Sequence, residues 1–156
     1  MSKITTRKAN TDDLDFIRES NRAMAAETED VGLEPKTLLK GIEYLLAHAN
    51  EGIYLIAEQN GARAGTLMVT FEWSDWRNGR FWWIQSVYVP QTFRRRGVYR
   101  AMHEAVRKLA LADPQACGIR LYVERENSVA QQTYQRIGME ETHYRLYEEL
   151  LARTDG

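Results

Sequence analysis

The sequence predicts a mixed α/β fold in which helices cover both faces of one sheet. Three observations support this prediction: two helical segments come first, a run of hairpin-connected strands follows, and strand–helix–strand units complete the chain. The chain has 156 residues, of which 44% are hydrophobic and 28% are charged, and this balance is typical of a globular protein and excludes a disordered one. We therefore expect a single domain that spans residues 1–156.

The first segments predict a strand and two helices. Residues 3–8 form a short edge strand, and Thr11 is the predicted N-cap of a helix that ends near residue 26, since two aspartates follow in its first turn. Residues 27–34 are acidic and contain a glycine, which predicts a loop. Pro35 suits the first turn of a second helix. The predicted buried face of that helix consists of Leu38, Leu39, Ile42, Leu45 and Leu46.

The middle of the chain predicts three strands. Residues 53–58 and 64–72 flank Asn60-Gly61, which is a strong signal for a two-residue hairpin turn because both turn positions need a positive φ. A polar turn at residues 75–79 follows, and residues 81–89 form a third strand, rich in aromatic and β-branched side chains. A run of hairpins is therefore expected here.

The last third predicts two strand–helix units and a final strand. Helices are expected over residues 97–111 and from the N-cap Asn127 to about residue 137, where a glycine ends the helix. Strands are expected at residues 119–123 and 141–149, although residues 148–153 fit a helix equally well.

Composition narrows the classes of protein. No apolar run approaches the roughly 20 residues that cross a bilayer, and the first ten residues lack the apolar core of a secretory signal. The single cysteine, Cys117, and three dispersed histidines form no ligand cluster, so no metal is expected. A cytoplasmic protein without a membrane partner is the expectation.

Charge is divided between the two halves of the chain. Residues 1–76 hold 8 Lys and Arg against 13 Asp and Glu, and residues 77–156 hold 13 against 9, so the balances are −5 and +4. Such halves can attract ligands of opposite sign, although random drift of surface charge explains the same numbers. The net charge of −1 argues against a nucleic acid as partner. An anionic ligand is favoured by one basic cluster, Arg94, Arg95, Arg96 and Arg100.

One segment, residues 87–100, combines a strand end, a basic loop with a glycine and a helix start. Such a loop can aim successive backbone N–H groups at an anion, the helix N-terminus adds roughly half a positive charge, and arginines add bidentate phosphate contacts. The pattern predicts a pyrophosphate site, with a solvated helix start as the alternative. It is neither a Walker loop nor a dinucleotide fingerprint, because the Gly-Lys-Ser/Thr and the G-x-G-x-x-G glycines are missing.

This segment resembles a signature of the GNAT N-acyltransferase superfamily. The run Arg94-Arg95-Arg96-Gly97-Val98-Tyr99 is similar to the acyl-CoA-binding motif Q/R-x-x-G-x-G/A, except that Tyr99 replaces the usual small residue. The later Asn127, Ala130, Tyr134 and Gly138-Met139 are similar to the second signature, an Asn followed by Ala, Tyr and a closing Gly-Phe. The two motifs lie in the right order, about 30 residues apart.

The resemblance implies a GNAT-like fold and an acyl-CoA donor. The fold would contain a twisted, mostly antiparallel sheet of six to seven strands, splayed between the fourth and fifth strands. Backbone amides of residues 95–100 would hold the CoA pyrophosphate, and the main chain of Val87 and Val89 would pair with the pantetheine arm like an added strand. The implied acetyl-CoA contacts are Val87, Tyr88, Val89, Arg94, Arg95, Arg96, Gly97, Val98, Tyr99, Arg100, Asn127 and Tyr134.

The resemblance also implies an N-acetyltransferase in which a primary amine attacks the thioester directly within a ternary complex. Tyr134 matches the family's general acid, which protonates the leaving thiolate, while packing against Ala130 is the alternative role. Glu72 and Glu124, each near the end of a strand, are candidates for the base, and solvated strand ends are the alternative for both. A strand amide near Val87 is expected to stabilise the oxyanion.

The acceptor side is less defined, and a small amine or a peptide fits equally. All four tryptophans lie within residues 71–83; Trp82 and Trp83 should face opposite sides of a strand, and core packing is expected for at least two of the four. A non-catalytic acyl-CoA-binding or regulatory module on the same fold is the alternative function, and a homodimer would fit the family. The acidic residues of the predicted loop would face either a cationic acceptor or only solvent. They are Glu27, Glu29, Asp30 and Glu34.

Overall fold

The structure, a computed structural model, describes residues 3–29 and 32–152. The chain divides into two compact units, residues 1–122, which hold the sheet and three helices, and residues 123–156, which hold a fourth helix. The strands of the described residues are β1 (Ile4–Lys8), β2 (Gly52–Gln59), β3 (Ala62–Ser74), β4 (Gly79–Tyr88) and β5 (Ala116–Arg120). The helices are α1 (Leu14–Glu29), α2 (Pro35–Ala47), α3 (Val98–Ala112) and α4 (Ser128–Arg136).

The five strands follow each other in space as they do in the chain. Their order is β1-β2-β3-β4-β5, with antiparallel pairs from β1 to β4 and a parallel pair between β4 and β5. Asn60 and Gly61 form the turn between β2 and β3 with φ values of 55° and 77°, as the hairpin signal predicted. The edge strand, the hairpin run and the mixed sheet are therefore confirmed.

The prediction of six to seven strands is wrong for the described residues, because residues 141–149 form no strand. Residues 140–152 have exposed side chains and no regular structure. The larger apolar side chains here do not alternate as in a strand; they recur at the three- and four-residue spacings of a helix, but all of them are exposed and none lies in a helix. The helix alternative over residues 148–153 also fails as far as residue 152, and Arg153 lies outside the described residues. The exposed apolar positions are Tyr144, Leu146, Tyr147, Leu150 and Leu151.

Helices cover both faces of the sheet, as predicted. Neighbouring residues of β2 point to opposite faces: Leu55 packs in a cluster with α3, whereas Ile56 packs in a cluster with α1 and α2. The apolar positions of α3 recur every four residues and therefore share one helix face. On the α3 face the buried helix residues are Val98, Met102, Val106 and Ala110, and on the other face they are Ile17, Ile42 and Leu45.

The first helical segment begins and ends elsewhere than predicted. Asn10, not Thr11, is the N-cap: its side chain accepts a hydrogen bond from the Asp12 N–H at 2.8 Å, and the Asp13 carboxylate accepts from the Asn10 N–H at 2.8 Å. A 3₁₀ turn over Thr11–Asp13 precedes α1. Because α1 continues to Glu29, Glu27 belongs to the helix and not to a loop.

Strand β5 lies three residues earlier than predicted. The reason is a close approach at Gly118, where an added Cβ would lie 2.7 Å from the Phe81 ring of β4. Only glycine permits this pairing, and the sequence pattern placed that glycine in a loop. With Gly118 inside it, strand β5 runs from Ala116 to Arg120.

Candidate active site

The turn between β4 and α3, residues 89–100, presents backbone N–H groups at the start of a helix, and we call it the anion turn. It contains a 3₁₀ turn over Gln91–Phe93, and the chain passes twice through the left-handed region, at Arg95 (φ 64°) and Gly97 (φ 82°). Gly97 is the N-cap of α3 and has no side chain to satisfy the first helical N–H groups. Five backbone N–H groups donate to no backbone or side-chain acceptor within the described part of the chain: those of Arg95, Arg96, Gly97, Val98 and Arg100.

Positive charge accompanies these N–H groups. The side chains of Arg95 and Arg100 are exposed and form no ion pair with the described residues. Arg96 donates from Nη1 to Gln59 Oε1 at 3.3 Å, and its guanidinium lies 5.7 Å from the centroid of the Phe93 ring. Uncompensated guanidinium groups beside free N–H groups favour an anionic ligand.

Arg94 has different contacts, because three groups hold its side chain. Its Nε donates to the Val89 carbonyl and its Nη2 to Glu27 Oε2, both at 2.8 Å, and its guanidinium lies 5.5 Å from the centroid of the Tyr88 ring. The Tyr88 hydroxyl donates to Glu27 Oε1 at 2.9 Å. The hydrogen bonds from Arg94 and Tyr88 hold the pKa of Glu27 below its usual range, and burial together with the Glu27 bond raises the pKa of Tyr88.

Tyr99, which departs from the family motif, is accommodated along α3. Its hydroxyl lies 3.0 Å from Nδ1 of His103, and the Tyr99 ring packs partly buried against the core. His103 is buried, with only 1% of its surface exposed. Burial and the positive charge of Arg107 lower the pKa of His103, so its ring is neutral at pH 7. The larger side chain thus has a polar partner one turn further along the helix.

Strand β5 pairs with only the first residues of β4. Their pairs join residues 80–83 of β4 to residues 116–120 of β5, and β4 continues to Tyr88 after β5 has ended at Arg120. The β5-side edge of residues 84–88 therefore has no partner strand among the described residues. The predicted splay is confirmed only in part, since β4 continues past Trp83 without β5 because β5 is paired up to its last residue, Arg120, and ends there.

A bulge that no sequence pattern predicted interrupts β4 within residues 84–88. Thr66 pairs with Tyr88 and Met68 with Gln85, so β4 contains one residue more than β3 between these pairs. Ser86 has a φ of 51°, which is uncommon for a residue other than glycine and is a strain typical of functional sites. The Val87 amide, our candidate for the oxyanion, follows directly. Serine has no preference for this conformation, so the sequence carries no signal for the bulge.

The second unit contains Asn127 and Tyr134, two residues of the second motif. Asn127 is the N-cap of α4, and its Oδ1 accepts from the Ala130 N–H at 3.1 Å, as predicted. Gly138 has a φ of 100°, so a glycine ends the helix. The Met139 N–H that follows donates to the Tyr134 carbonyl at 3.0 Å. Burial raises the pKa of Tyr134, which keeps the phenol protonated at neutral pH.

The two candidate bases differ in their partners. Glu72 Oε1 accepts from Arg120 Nη1 at 2.7 Å and from Trp83 Nε1 at 3.2 Å, so protonating Glu72 would break an ion pair. Glu124 is exposed, and its carboxylate forms no ion pair with the described residues. The Glu124 backbone carbonyl accepts at 3.0 Å from the N–H of Asn127, the N-cap of α4.

The acidic residues expected on the acceptor side have other roles where the structure describes them. Glu27 binds Tyr88 and Arg94, and Glu34 caps α2 by accepting from the Thr37 N–H at 2.6 Å. The side chain of Glu29 and all of Asp30 lie outside the described residues. The acceptor hypothesis therefore loses two of its four carboxylates.

The tryptophans are less buried than expected. Trp82 packs in the core, and Trp83 lies partly buried on the opposite face, 6.1 Å from the Tyr122 ring between centroids. Trp73 and Trp76 are exposed, because Trp76 is in the turn after β3 and Trp73 is near the end of that strand. The opposite-face prediction is confirmed, and the prediction of two core tryptophans is wrong.

The residues that the structure describes lack two features. They contain no group of three His, Cys, Asp or Glu side chains that could hold a metal ion. None of their helices has both the length and the apolar character needed to span a membrane.

Comparison with known proteins assigns the family. Residues 15–139 match the acetyltransferase (GNAT) family. The chain belongs to this family. The GNAT resemblance of the two motifs is thereby confirmed, and no curated protein matches the chain.

Solved structures share the fold of this GNAT chain. One is that of "a possible acetyltransferase from Clostridium difficile 630", which is 39% identical, with a TM-score of 0.88 and coverage of 96% of this chain and 99% of the other. A "predicted acetyltransferase" from Clostridium acetobutylicum, solved with acetyl-CoA, is 21% identical (TM-score 0.76, coverage 94% and 96%). The aminoglycoside N-acetyltransferase AAC(6')-Iy, solved with a CoA-based bisubstrate analogue, is 20% identical (TM-score 0.77, coverage 97% and 100%).

Proposed function

We propose that this GNAT protein is an N-acetyltransferase that moves the acetyl group of acetyl-CoA to a primary amine. The observation that supports the proposal is the anion turn, in which five N–H groups have no acceptor within the described residues, those of Arg95, Arg96, Gly97, Val98 and Arg100. A CoA diphosphate would supply acceptor oxygens for these groups at the start of α3. Two solved relatives contain acetyl-CoA or CoA, which agrees with this choice of donor.

The pantetheine arm would lie along the unpaired edge of β4. The Val89 carbonyl already accepts from Arg94, whereas the Val89 N–H donates to no group among the described residues. A pantetheine carbonyl would therefore accept from the Val89 N–H, in the manner of an added strand. Asn127 uses its Oδ1 in the cap of α4, so its Nδ2 is the group that would contact the arm.

The reaction then needs no covalent enzyme intermediate. The amine nitrogen attacks the thioester carbonyl carbon, a C–N bond forms, and the carbonyl electron pair becomes an oxyanion that the amide near Val87 would stabilise. The C–S bond breaks as the oxyanion collapses, and Tyr134 donates its proton to the leaving thiolate. A base takes the extra proton of the nitrogen, and Glu124 is the better candidate because the carboxylate of Glu72 is already bound by Arg120.

Thiol release tests this proposal. Purified protein is mixed with acetyl-CoA and a library of amines, amino acids and peptides, and free CoA thiol is measured, while calorimetry gives the acetyl-CoA Kd. Thiol release that depends on one class of amine is the expected result. Failure to bind acetyl-CoA at millimolar concentration would overturn the proposal, and binding without transfer to any amine would favour the non-catalytic acyl-CoA-binding module.

The Tyr134→Phe variant tests the assigned acid. Loss of the proton donor is expected to lower kcat by about 100-fold or more, with the acetyl-CoA Kd within about twofold of the original because the ring remains. Tyr147→Phe is the control, since the Tyr147 side chain is almost fully exposed. Equal kcat values for the two variants would remove Tyr134 from the mechanism.

A further inference from the structure

The last turn of α1 is connected to the anion turn through one carboxylate. Glu27 accepts hydrogen bonds from Tyr88, the last residue of β4, and from Arg94, the first residue of the motif. These partners are 61 and 67 residues away in sequence. Neither the family match nor the two motifs assign any role to Glu27.

Arg94 joins the two ends of the short turn that precedes the N–H groups. Its own N–H donates to the Gln91 carbonyl at 3.2 Å, while its Nε reaches back to the Val89 carbonyl at 2.8 Å. The side chain thus crosses the turn from residue 94 to residue 89. Glu27 and the Tyr88 ring hold the outer part of the guanidinium in this position.

We propose that Glu27 is a positioning residue for acyl-CoA, which keeps Arg94 fixed across the anion turn so that the N–H groups of residues 95–100 are oriented before the diphosphate arrives. The inference rests on the proposed function, because it assumes that this turn binds CoA. A turn that is ordered beforehand loses less conformational entropy on binding, so the affinity for the ligand is higher.

A competing arrangement predicts the opposite sign. If Arg94 instead leaves Glu27 to bind a phosphate, Glu27 competes with CoA for the guanidinium, and removing its charge tightens CoA binding. In the proposed arrangement, removing the charge of Glu27 weakens CoA binding, because Arg94 loses its strongest partner outside the turn. The direction of the change in Kd therefore separates the two arrangements.

The test is calorimetry of acetyl-CoA with full-length Glu27→Gln and Glu19→Gln variants. Glu19 is an exposed carboxylate on the same helix, and its ion pairs with the described residues are with Arg18 and Arg22, so its variant is the matched control. We expect the Kd to rise about tenfold in Glu27→Gln and to stay within about twofold in Glu19→Gln. Tyr88→Phe removes one of the two bonds to Glu27 and is expected to give a smaller rise.

Two further readouts distinguish positioning from other roles. Because Glu27→Gln removes no phosphate contact, its Kd should keep the salt dependence of the original protein, whereas Arg95→Gln should flatten it. In Arg94→Met, adding Glu27→Gln should have no further effect, since the two residues act as one unit.

An unchanged or lower Kd in Glu27→Gln, or additive effects in the double variant, would overturn the inference. A protein that binds no acetyl-CoA in its original form would instead refute the proposed function, and thermal unfolding of each variant identifies any that fails to fold.

Discussion

At Gly97 the backbone has a φ of 82°, a conformation in which a side chain is strained even though no heavy atom lies within 4 Å of an added Cβ. A Gly97→Ala substitution would therefore cost about 1 kcal/mol of stability through the backbone alone. Relaxation of that strain would rotate the N–H groups of the anion turn. We expect the acetyl-CoA Kd to rise about tenfold, as measured by calorimetry beside urea denaturation.

Gly41 supplies the matched control for Gly97→Ala. It lies inside α2, with no heavy atom within 4 Å of an added Cβ and no positive φ. Gly41→Ala should therefore raise stability by up to about 1 kcal/mol and leave the Kd unchanged. If Gly97→Ala matched Gly41→Ala in both measurements, the left-handed conformation would have no role in binding.

Single residues of the site were predictable where the signal is local in sequence. Gly97, the N-cap Asn127 and the helix-ending glycine each satisfy a backbone requirement within a few residues, and the structure confirms these conformations. Glu27 had no such signal, because its partners are 61 and 67 residues away. Ser86 had none either, because its φ of 51° is imposed by the register of β3 and β4.

Between elements, one buried carboxylate joins the start of α1 to two strands. Asp13 is fully buried and accepts hydrogen bonds from Arg7 of β1 and Arg63 of β3 at 2.7–2.8 Å. Burial raises the pKa of Asp13, but the hydrogen bonds from Arg7 and Arg63 outweigh it and hold the pKa far below its usual range. Asp13→Asn would leave the Arg63 guanidinium without an ion-pair partner among the described residues and would leave Arg7 with Glu58 alone, so we expect a loss of about 3 kcal/mol in urea denaturation.

The adjacent Asp12 is the control for Asp13→Asn. Its side chain is exposed, and Arg63 contacts only its backbone carbonyl. Asp12→Asn should change the unfolding free energy by no more than about 0.5 kcal/mol. Similar losses in the two variants would mean that the ion pairs of Asp13 contribute nothing specific.

Elements were predictable from sequence in proportion to the length and regularity of their apolar pattern. The β2–β3 hairpin has the Asn60-Gly61 turn signal between two apolar runs, and α3 has an apolar residue every four positions; their observed bounds differ from the predicted ones by two residues at most. Strand β5 was misplaced because its position depends on a contact between Gly118 and Phe81, which no local pattern encodes. The strand expected at residues 141–149 lacked the apolar alternation of a strand, and the structure does not contain it.

For the whole molecule, ion pairs between the two halves reduce the effect of the charge division. Glu27 and Glu72 of the acidic half pair with Arg94 and Arg120 of the basic half, both within 2.8 Å. The balance of −5 therefore overstates the negative charge that an acceptor would meet. A basic excess persists at the anion turn, where Arg95 and Arg100 have no ion-pair partner among the described residues.

Stability of the whole molecule should fall with acid in two separate ranges. Burial lowers the pKa of His103, with Arg107 reinforcing the shift and Glu104 opposing it, so the unfolded chain takes up a proton near pH 6.5 that the folded chain does not. The unfolding free energy therefore suffers no loss from His103 above about pH 6.5, and it falls as the pH decreases toward the folded pKa of His103. Below about pH 4, protonation of Asp13 in the unfolded chain adds a second fall, because its folded pKa is depressed.

Urea denaturation between pH 8 and pH 5 measures the first of these ranges. His103→Gln should be less stable than the original protein at pH 8, because the buried ring and its contact with the Tyr99 hydroxyl are lost, but its stability should not decline between pH 7 and pH 5 as steeply. His48→Gln, which removes an exposed histidine, should keep the original slope. An equal slope in His103→Gln and the original protein would show that the buried histidine does not cause the acid sensitivity.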